Sequence, residues 1–410
     1  MPLNSIAATW PLLLGMGILM LGAGLQGSLL GLRATLENFP TAVIGAIMSC
    51  YYAGYLVGTV AAPRLVQRVG HVRVFAALAA IASAAILLQS VWVHPLPWAG
   101  LRLLTGVCFA GIYVVAESWL NAASSRANRG RLLAVYMLVL YGGLGSAQFL
   151  LTLASPKSPT LFMLTSVLIS LAMVPIVISA QQTAQPATAR PVRYRDLYRN
   201  SPIGVVAVMV SGFLSAILFS MGPVYARLSG LDTAGVAQFM AITILAAVVT
   251  QYPIGRLSDR MDRRTVIAAV CALATLVAAS IVFFGAMRHA LLLTLAAMFS
   301  GLVLTLYSQA VSHVNDKLEP SEMVAASSSL LLLNGIGAAF GPILTGSLIG
   351  KWGPQAYFTT LATLTGALTV FDLWRKLQRR PPATKRPYVP AQPQCTGAAM
   401  VEEQRHPHRT

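Results

Sequence analysis

Twelve apolar stretches of about twenty residues each, separated by short polar gaps, restrict this 410-residue chain more than any other feature. A helix rises 1.5 Å per residue, so about twenty apolar residues cross a hydrocarbon layer of roughly 30 Å. Inside such a layer the backbone must satisfy its own polar groups, which makes a helix the answer to each stretch. The stretches fall at about 11–32, 41–62, 73–93, 97–118, 132–153 and 160–180, then at about 201–222, 233–254, 265–286, 290–312, 323–349 and 355–374. The expected fold is all-α, a polytopic membrane protein with twelve transmembrane helices. Only 10% of the residues are charged, against roughly 25% in a soluble domain.

The charges that remain report topology. Of 29 Lys and Arg, 23 lie in the connections after even-numbered spans and in the C-terminal tail, and without the tail the loops still divide 15 to 5. By the positive-inside rule the even loops and both termini are expected to be cytoplasmic. In a soluble protein this basic excess would suggest a nucleic-acid partner; placed between apolar runs it points to anionic lipid heads and no nucleic acid. The first ten residues carry no Lys or Arg, so the first helix is expected to act as its own uncleaved insertion signal. Cys50, Cys108 and Cys271 lie in apolar stretches and Cys395 in the tail, with no Cys/His spacing that suits a metal. No cofactor is expected.

Three weak self-matches share almost one offset. Tyr113–Asn121 aligns with Tyr307–Asn315, Tyr141-Gly-Gly with Asn334-Gly-Ile, and Gln67-Arg68 with Asp259-Arg260. A duplication of six helices follows, with an N-terminal bundle over 1–180, a cytoplasmic linker over 181–200 and a C-terminal bundle over 201–374. Residues 375–410 hold six prolines and eight basic residues and read as a disordered cytoplasmic tail.

The clearest motif is Gly255-Arg-Leu-Ser-Asp259-Arg260-Met-Asp262-Arg263-Arg264, after the eighth span. A glycine there allows close helix approach, an aspartate can face a helix N-terminus, and arginines can hold carboxylates or lipid phosphates. The first-half counterpart has Pro63 and Gln67 in place of the glycine and the acid, while Arg68 and Gly70 remain. Its latch is expected to be weaker, since an amide lacks the charge that a helix terminus rewards. Arg102 lies in the fourth span with Gly106 and Ala110 at spacings of four. It either faces a cavity or snorkels to the nearby interface. Glu117 reads as the sole carboxylate well inside a span, suited either to proton coupling or to an ion pair with Arg68 or Arg73. His313 and Asp316 occupy the corresponding end of the tenth span. The eleventh span carries Gly335, Gly337, Gly341, Pro342 and Gly346, a composition that suits a helix able to rock.

The Asp259 loop, Arg102, the repeat and the glycine-rich eleventh span together resemble the major facilitator superfamily. The Glu117–Asn121 and His313–Pro320 stretches are most similar to its YcaD-like bacterial subgroup. The resemblance implies two six-helix pseudo-repeats, residence in the bacterial inner membrane, and secondary active transport by alternating access with no enzymatic activity. It also implies that Asp259 faces the fifth span near Arg131 to Leu133, and that Gly255, Asp259, Arg260, Arg263, Arg264, Arg68, Gly70, Glu117, Gly337, Gly341 and Pro342 have gating or structural roles. The fifth span, with Gly142, Gly143, Gly145 and Gln148, departs from the Gly-Pro-rich element of drug/proton antiporters.

Polar groups expected at a substrate cavity are Arg102, Gln26, Tyr136, Tyr141, Gln251, Tyr307, Gln309 and Asn334, with Tyr51, Gln148 and Gln238 beside them. The expected partner is a small organic solute, moved outward, with a proton as a possible coupling ion. Uptake of a small anionic metabolite and a non-transporting sensor are the alternative readings.

Overall fold

A computed structural model describes residues 3–123, 129–178, 194–284, 289–318 and 322–378. Among these, fourteen helices follow in order: α1 (Leu3–Leu36), α2 (Thr41–Val69), α3 (His71–Val91), α4 (Pro95–Ala123), α5 (Arg129–Leu150), α6 (Thr160–Ile178), α7 (Tyr194–Asn200), α8 (Pro202–Leu228), α9 (Thr233–Arg260), α10 (Arg263–Phe284), α11 (His289–Val303), α12 (Leu306–Asn315), α13 (Met323–Trp352) and α14 (Ala356–Gln378). Among the described residues, twelve helical segments are long and apolar enough to cross a membrane, α11 and α12 together making one of them. Large apolar side chains such as Leu138, Phe149, Leu276 and Phe340 lie exposed on these helices. In water such exposure would be costly; against lipid tails it is neutral.

Three boundaries differ from expectation. The eighth span runs on to Arg260, so the Gly255–Arg260 motif is helical and only Met261 and Asp262 separate α9 from α10. In the first half the break between α2 and α3 is the single residue Gly70, at φ 93°, a conformation that a Cβ would oppose. The tenth span is interrupted: the Thr305 amide bonds to the Leu302 carbonyl, three residues back. The Gly301 carbonyl instead accepts the Thr250 hydroxyl of α9 at 2.6 Å. A hydroxyl from a neighbouring helix inserted at a carbonyl is a recognised cause of such breaks. The expected linker ends in a helix, α7, while 179–193 and the tail from 379 lie outside the described residues.

The chain groups into two compact units. The first comprises Met1–Thr188, Phe219–Ala241 and Pro342–Gly350; the second comprises Ala189–Leu218, Ile242–Gly341 and Lys351–Thr410. Inside the first, α1 packs on α5 and α6, α2 on α4, and α3 on α4 and α6. Glycines set the α2–α4 distance: a Cβ on Gly54 or Gly106 would overlap the carbonyl of Leu103 or Tyr51 respectively. The second unit packs α10 on α14 and α11. Gly143 lies against the Gly17 carbonyl in the first unit and Gly337 against the Met209 carbonyl in the second, contacts whose positions match the sequence repeat within a residue or two.

Candidate functional site

Arg102 is carried by α4 one turn before Gly106, where the close approach of α2 brings Tyr51 beneath it. Its guanidinium carbon lies 4.4 Å from the Tyr51 ring centroid, and Nη2 donates to Met48 Sδ at 3.8 Å. The residue is 5% exposed, and its Nε has no hydrogen-bond partner among the described residues. Tyr51, Tyr52 and Cys50 lie within electrostatic range of it. A cation over a ring gains about 0.5–2 kcal/mol, whereas the effective penalty for burying an ion is several kcal/mol. The aromatic contact offsets only part of that cost.

Rings extend from this point along the α2–α4 face. Tyr51 lies 6.3 Å from both Tyr55 and Phe109, and Tyr55 lies 6.3 Å from Tyr113. The Tyr113 hydroxyl donates to Met20 Sδ at 3.3 Å, and the Tyr52 hydroxyl accepts from Ser220 Oγ at 3.2 Å. Tyr51, Tyr52 and Tyr55 remain partly exposed. The arrangement is a single cation beside a polarizable wall.

The other expected cavity residues do different things. Gln26 Nε2 donates to Gln89 Oε1 at 3.3 Å, and Gln148 accepts from Ser28 and donates to the Leu144 carbonyl. Gln251 donates to Ser308 Oγ at 3.3 Å. Asn334 donates to the Val208 carbonyl at 3.1 Å and to Ser211 Oγ at 3.0 Å. Tyr136, Tyr141 and Tyr307 are buried. Gln309 is wholly buried, and neither of its amide atoms has a hydrogen-bond partner among the described residues. It lies one turn before His313 on α12.

The motif arginines diverge in the same way. Arg260 and Arg68 are exposed, Gly255 is buried, and Arg263 and Arg264 are buried. Arg263 Nη2 lies 3.5 Å from Asp259 Oδ1 and its Nε 3.4 Å from Asp316 Oδ2. Arg264 Nε lies 3.9 Å from Asp372 Oδ1. In the first unit His71 Nε2 lies 2.9 Å from Ser118 Oγ, while Glu117 beside it is half-buried. The side chain of Arg131, expected near Asp259, lies outside the described residues.

A second carboxylate belongs beside Glu117: Asp372 is fully buried toward the C-terminal end of α14, three residues before its span ends at Arg375. The sequence reasoning did not single it out; the signal is a lone acid in the apolar run Val-Phe-Asp372-Leu-Trp.

Comparisons with known proteins agree with this architecture. The family model for the Major Facilitator Superfamily matches residues 12–318. The Escherichia fergusonii protein described as uncharacterized MFS-type transporter YcaD is 30% identical over 357 residues, covering 86% of this chain and 92% of its own. An uncharacterized MFS-type transporter of Yersinia pestis is 28% identical over 387 residues, covering 92% and 97%. Among solved structures, the nucleoside transporter NupG matches with a TM-score of 0.74 at 13% identity, over 91% of this chain and all of its own. A bacterial homologue of the human lysosomal transporter Spinster matches with a TM-score of 0.70 at 12% identity, over 98% and 99%. At such identities the structures speak for the fold alone. With a family model over most of its length and curated relatives 28–30% identical over 86–92% of it, the chain belongs to the major facilitator superfamily and is a membrane transporter.

Proposed function

We propose that this protein exports a small organic solute across the bacterial inner membrane by alternating access, with both termini cytoplasmic. The division into six-helix halves over 1–180 and 201–374, joined by a cytoplasmic linker, belongs to this reading. So do the gating roles of the Asp259 motif and of Gly337, Gly341 and Pro342.

One observation carries the reading. A face of α2 meets residues 342–350 through small groups. A Cβ on Gly45 would overlap the Pro342 carbonyl, one on Gly346 would overlap the Thr41 carbonyl, and Ser49 Oγ accepts the Ile343 amide at 3.2 Å. Contacts between backbones and short side chains interlock little, so such a seam can separate and re-form without repacking large residues. The partly exposed rings of α2 lie within a few turns of this seam, which favours an organic cargo over a strongly hydrated one. The basic loops suit contact with anionic lipids, and a proton is the natural coupling ion for a chain with buried carboxylates such as Asp372.

Everted membrane vesicles, energised and supplied with a cytosolic extract, test the direction when their contents are compared by mass spectrometry with those of vesicles lacking the protein. Protein-dependent accumulation of an organic solute is the expected result. Accumulation only in right-side-out vesicles would make the protein an importer. Ligand-dependent stabilisation without flux in either orientation would make it a sensor.

A further inference from the structure

We propose that Arg102 binds a negatively charged group on the cargo and that the adjoining Tyr51, Tyr55 and Phe109 rings hold the cargo's apolar body, which makes the solute an organic anion. The proposal rests on the transport reading for the word cargo; the binding site itself does not depend on flux.

Charge balance in the first unit is the starting point. That unit contains three carboxylates, Glu37, Glu117 and Asp232. Glu37 is held by Arg33 at 2.8 Å. Asp232 Oδ1 accepts the Gly235 amide at 2.8 Å at the start of α9. Glu117 is on the same helix as Arg102 but fifteen residues on, roughly 22 Å at 1.5 Å per residue. None of them can neutralise the buried guanidinium.

Among the described residues the immediate surroundings hold no carboxylate either. They are a thioether, an aromatic face, two phenols and a thiol. With Nε unpaired, a planar donor set stands ready for a carboxylate, sulfonate or phosphate, the groups that match a guanidinium fork. A residue that snorkelled would instead place its charge in water, and this one is 5% exposed. The ring ladder runs away from the cation along α2 and α4, and three of its rings, including that of Tyr52, are partly exposed. A small inorganic anion would leave that wall unused; an aromatic or otherwise apolar anion would use both parts.

Cys50 supplies a reporter, because it is partly exposed and interacts with the guanidinium. Protein with Cys108, Cys271 and Cys395 replaced by alanine, in phosphatidylcholine nanodiscs, would be alkylated with N-ethylmaleimide. The probes are 1-naphthoate, 2-naphthalenesulfonate, acetate and the neutral 1-naphthamide. Both naphthyl anions should slow alkylation of Cys50, acetate should do so only at far higher concentration, and the amide should not. Arg102→Gln should abolish protection, Arg102→Lys should weaken it by about tenfold because the charge stays and the fork is lost, and Tyr55→Leu should weaken naphthoate but not acetate. If Arg102→Gln does not fold, Arg102→Lys carries the comparison at matched thermal midpoint. Three results would overturn the proposal: no protection by any anion, equal protection in wild type and Arg102 variants, or protection by phosphatidylglycerol in the nanodisc with none by naphthoate, which would assign the site to a lipid headgroup. Because no transport is measured, a protein that binds naphthoate here but moves nothing would refute the transport reading and leave this one standing.

Discussion

Arg263 Nε lies 3.4 Å from Asp316 Oδ2, with both side chains almost completely buried. The corresponding position in the first half is His71, whose Nε2 lies 2.9 Å from the Ser118 hydroxyl. One repeat thus closes its α10–α12 corner with an ion pair and the other closes its α3–α4 corner with a single hydrogen bond. Asp259, the acid of the motif, approaches the same Arg263 from a more exposed position, 42% accessible against 3% for Asp316.

These differences order three substitutions. Asp316→Asn removes one member of a buried pair and is expected to destabilise by about 3–5 kcal/mol. His71→Ala loses one modest hydrogen bond, about 1 kcal/mol, and Asp259→Asn, acting at an exposed carboxylate, loses no more than about 1 kcal/mol. Thermal unfolding of the purified variants in one detergent checks the order. An Asp259→Asn protein less stable than Asp316→Asn would show that the exposed acid dominates the corner.

Arg264 and Asp372 make the same kind of test. Each single replacement, Arg264→Leu or Asp372→Leu, strands a buried charge, whereas the double replacement strands none. The double variant is expected to be more stable than either single one, with a coupling of about 0.5–3 kcal/mol in the cycle. Simple additivity in the unfolding midpoints would mean that the pair, 3.9 Å apart, contributes nothing through its charges.

Topology gives a third expectation. With a cysteine at Lys157 or Ser229, both exposed in short connections, intact cells should react with an impermeant maleimide, while Cys395 should react only after lysis. These sites follow the excess of basic residues in the even loops. Labelling of Cys395 in intact cells would invert the orientation.

How much of this was legible in the sequence depends on whether the cause was local. The spans were, because hydropathy over about twenty residues is a property of the segment alone. Their ends were not: α9 continues through Arg256 and Arg260, which are exposed and lose nothing by remaining helical at a membrane surface. The break at Thr305 depends on a hydroxyl from Thr250, fifty-five positions earlier, and no window around Thr305 contains it. Gln26, Gln251 and Asn334 looked like cavity groups because an amide in an apolar run is conspicuous, yet their bonds to other helices could not be seen from the chain. Arg102 was conspicuous for the same reason. Tyr51, which its guanidinium covers, sits fifty-one positions before it, and only the glycine approach of α2 to α4 brings the two together.

The last prediction concerns the seam on α2. Thr41, Gly45 and Ser49 recur every four residues and so share one face of the helix, and Pro342, Gly346 and Gly350 do the same on α13. A Cβ at Gly350 would lie 3.0 Å from Thr41 Oγ1, and those at Gly45 and Gly346 would meet carbonyls more closely still. A leucine at Gly45 or Gly346 therefore cannot be accommodated while the seam is closed, and overpacking of this kind costs about 1–3 kcal/mol. Alternating states of a transporter differ by only a few kcal/mol, and 1.4 kcal/mol is a factor of ten in their ratio. Gly45→Leu and Gly346→Leu should each shift the protein toward the state in which this seam is open. Ser220 reports the shift, being 3% exposed and bonded to Tyr52 less than two turns further along α2 than Gly45 and Ser49. In a Ser220→Cys background, labelling by an impermeant maleimide should rise about tenfold with Gly45→Leu. Gly142→Ala, where a Cβ meets nothing within 4 Å, should leave it unchanged. If both glycine variants fold with the wild-type thermal midpoint and label Ser220→Cys at the wild-type rate, the seam is static packing and the opening of this transporter must be sought on another face.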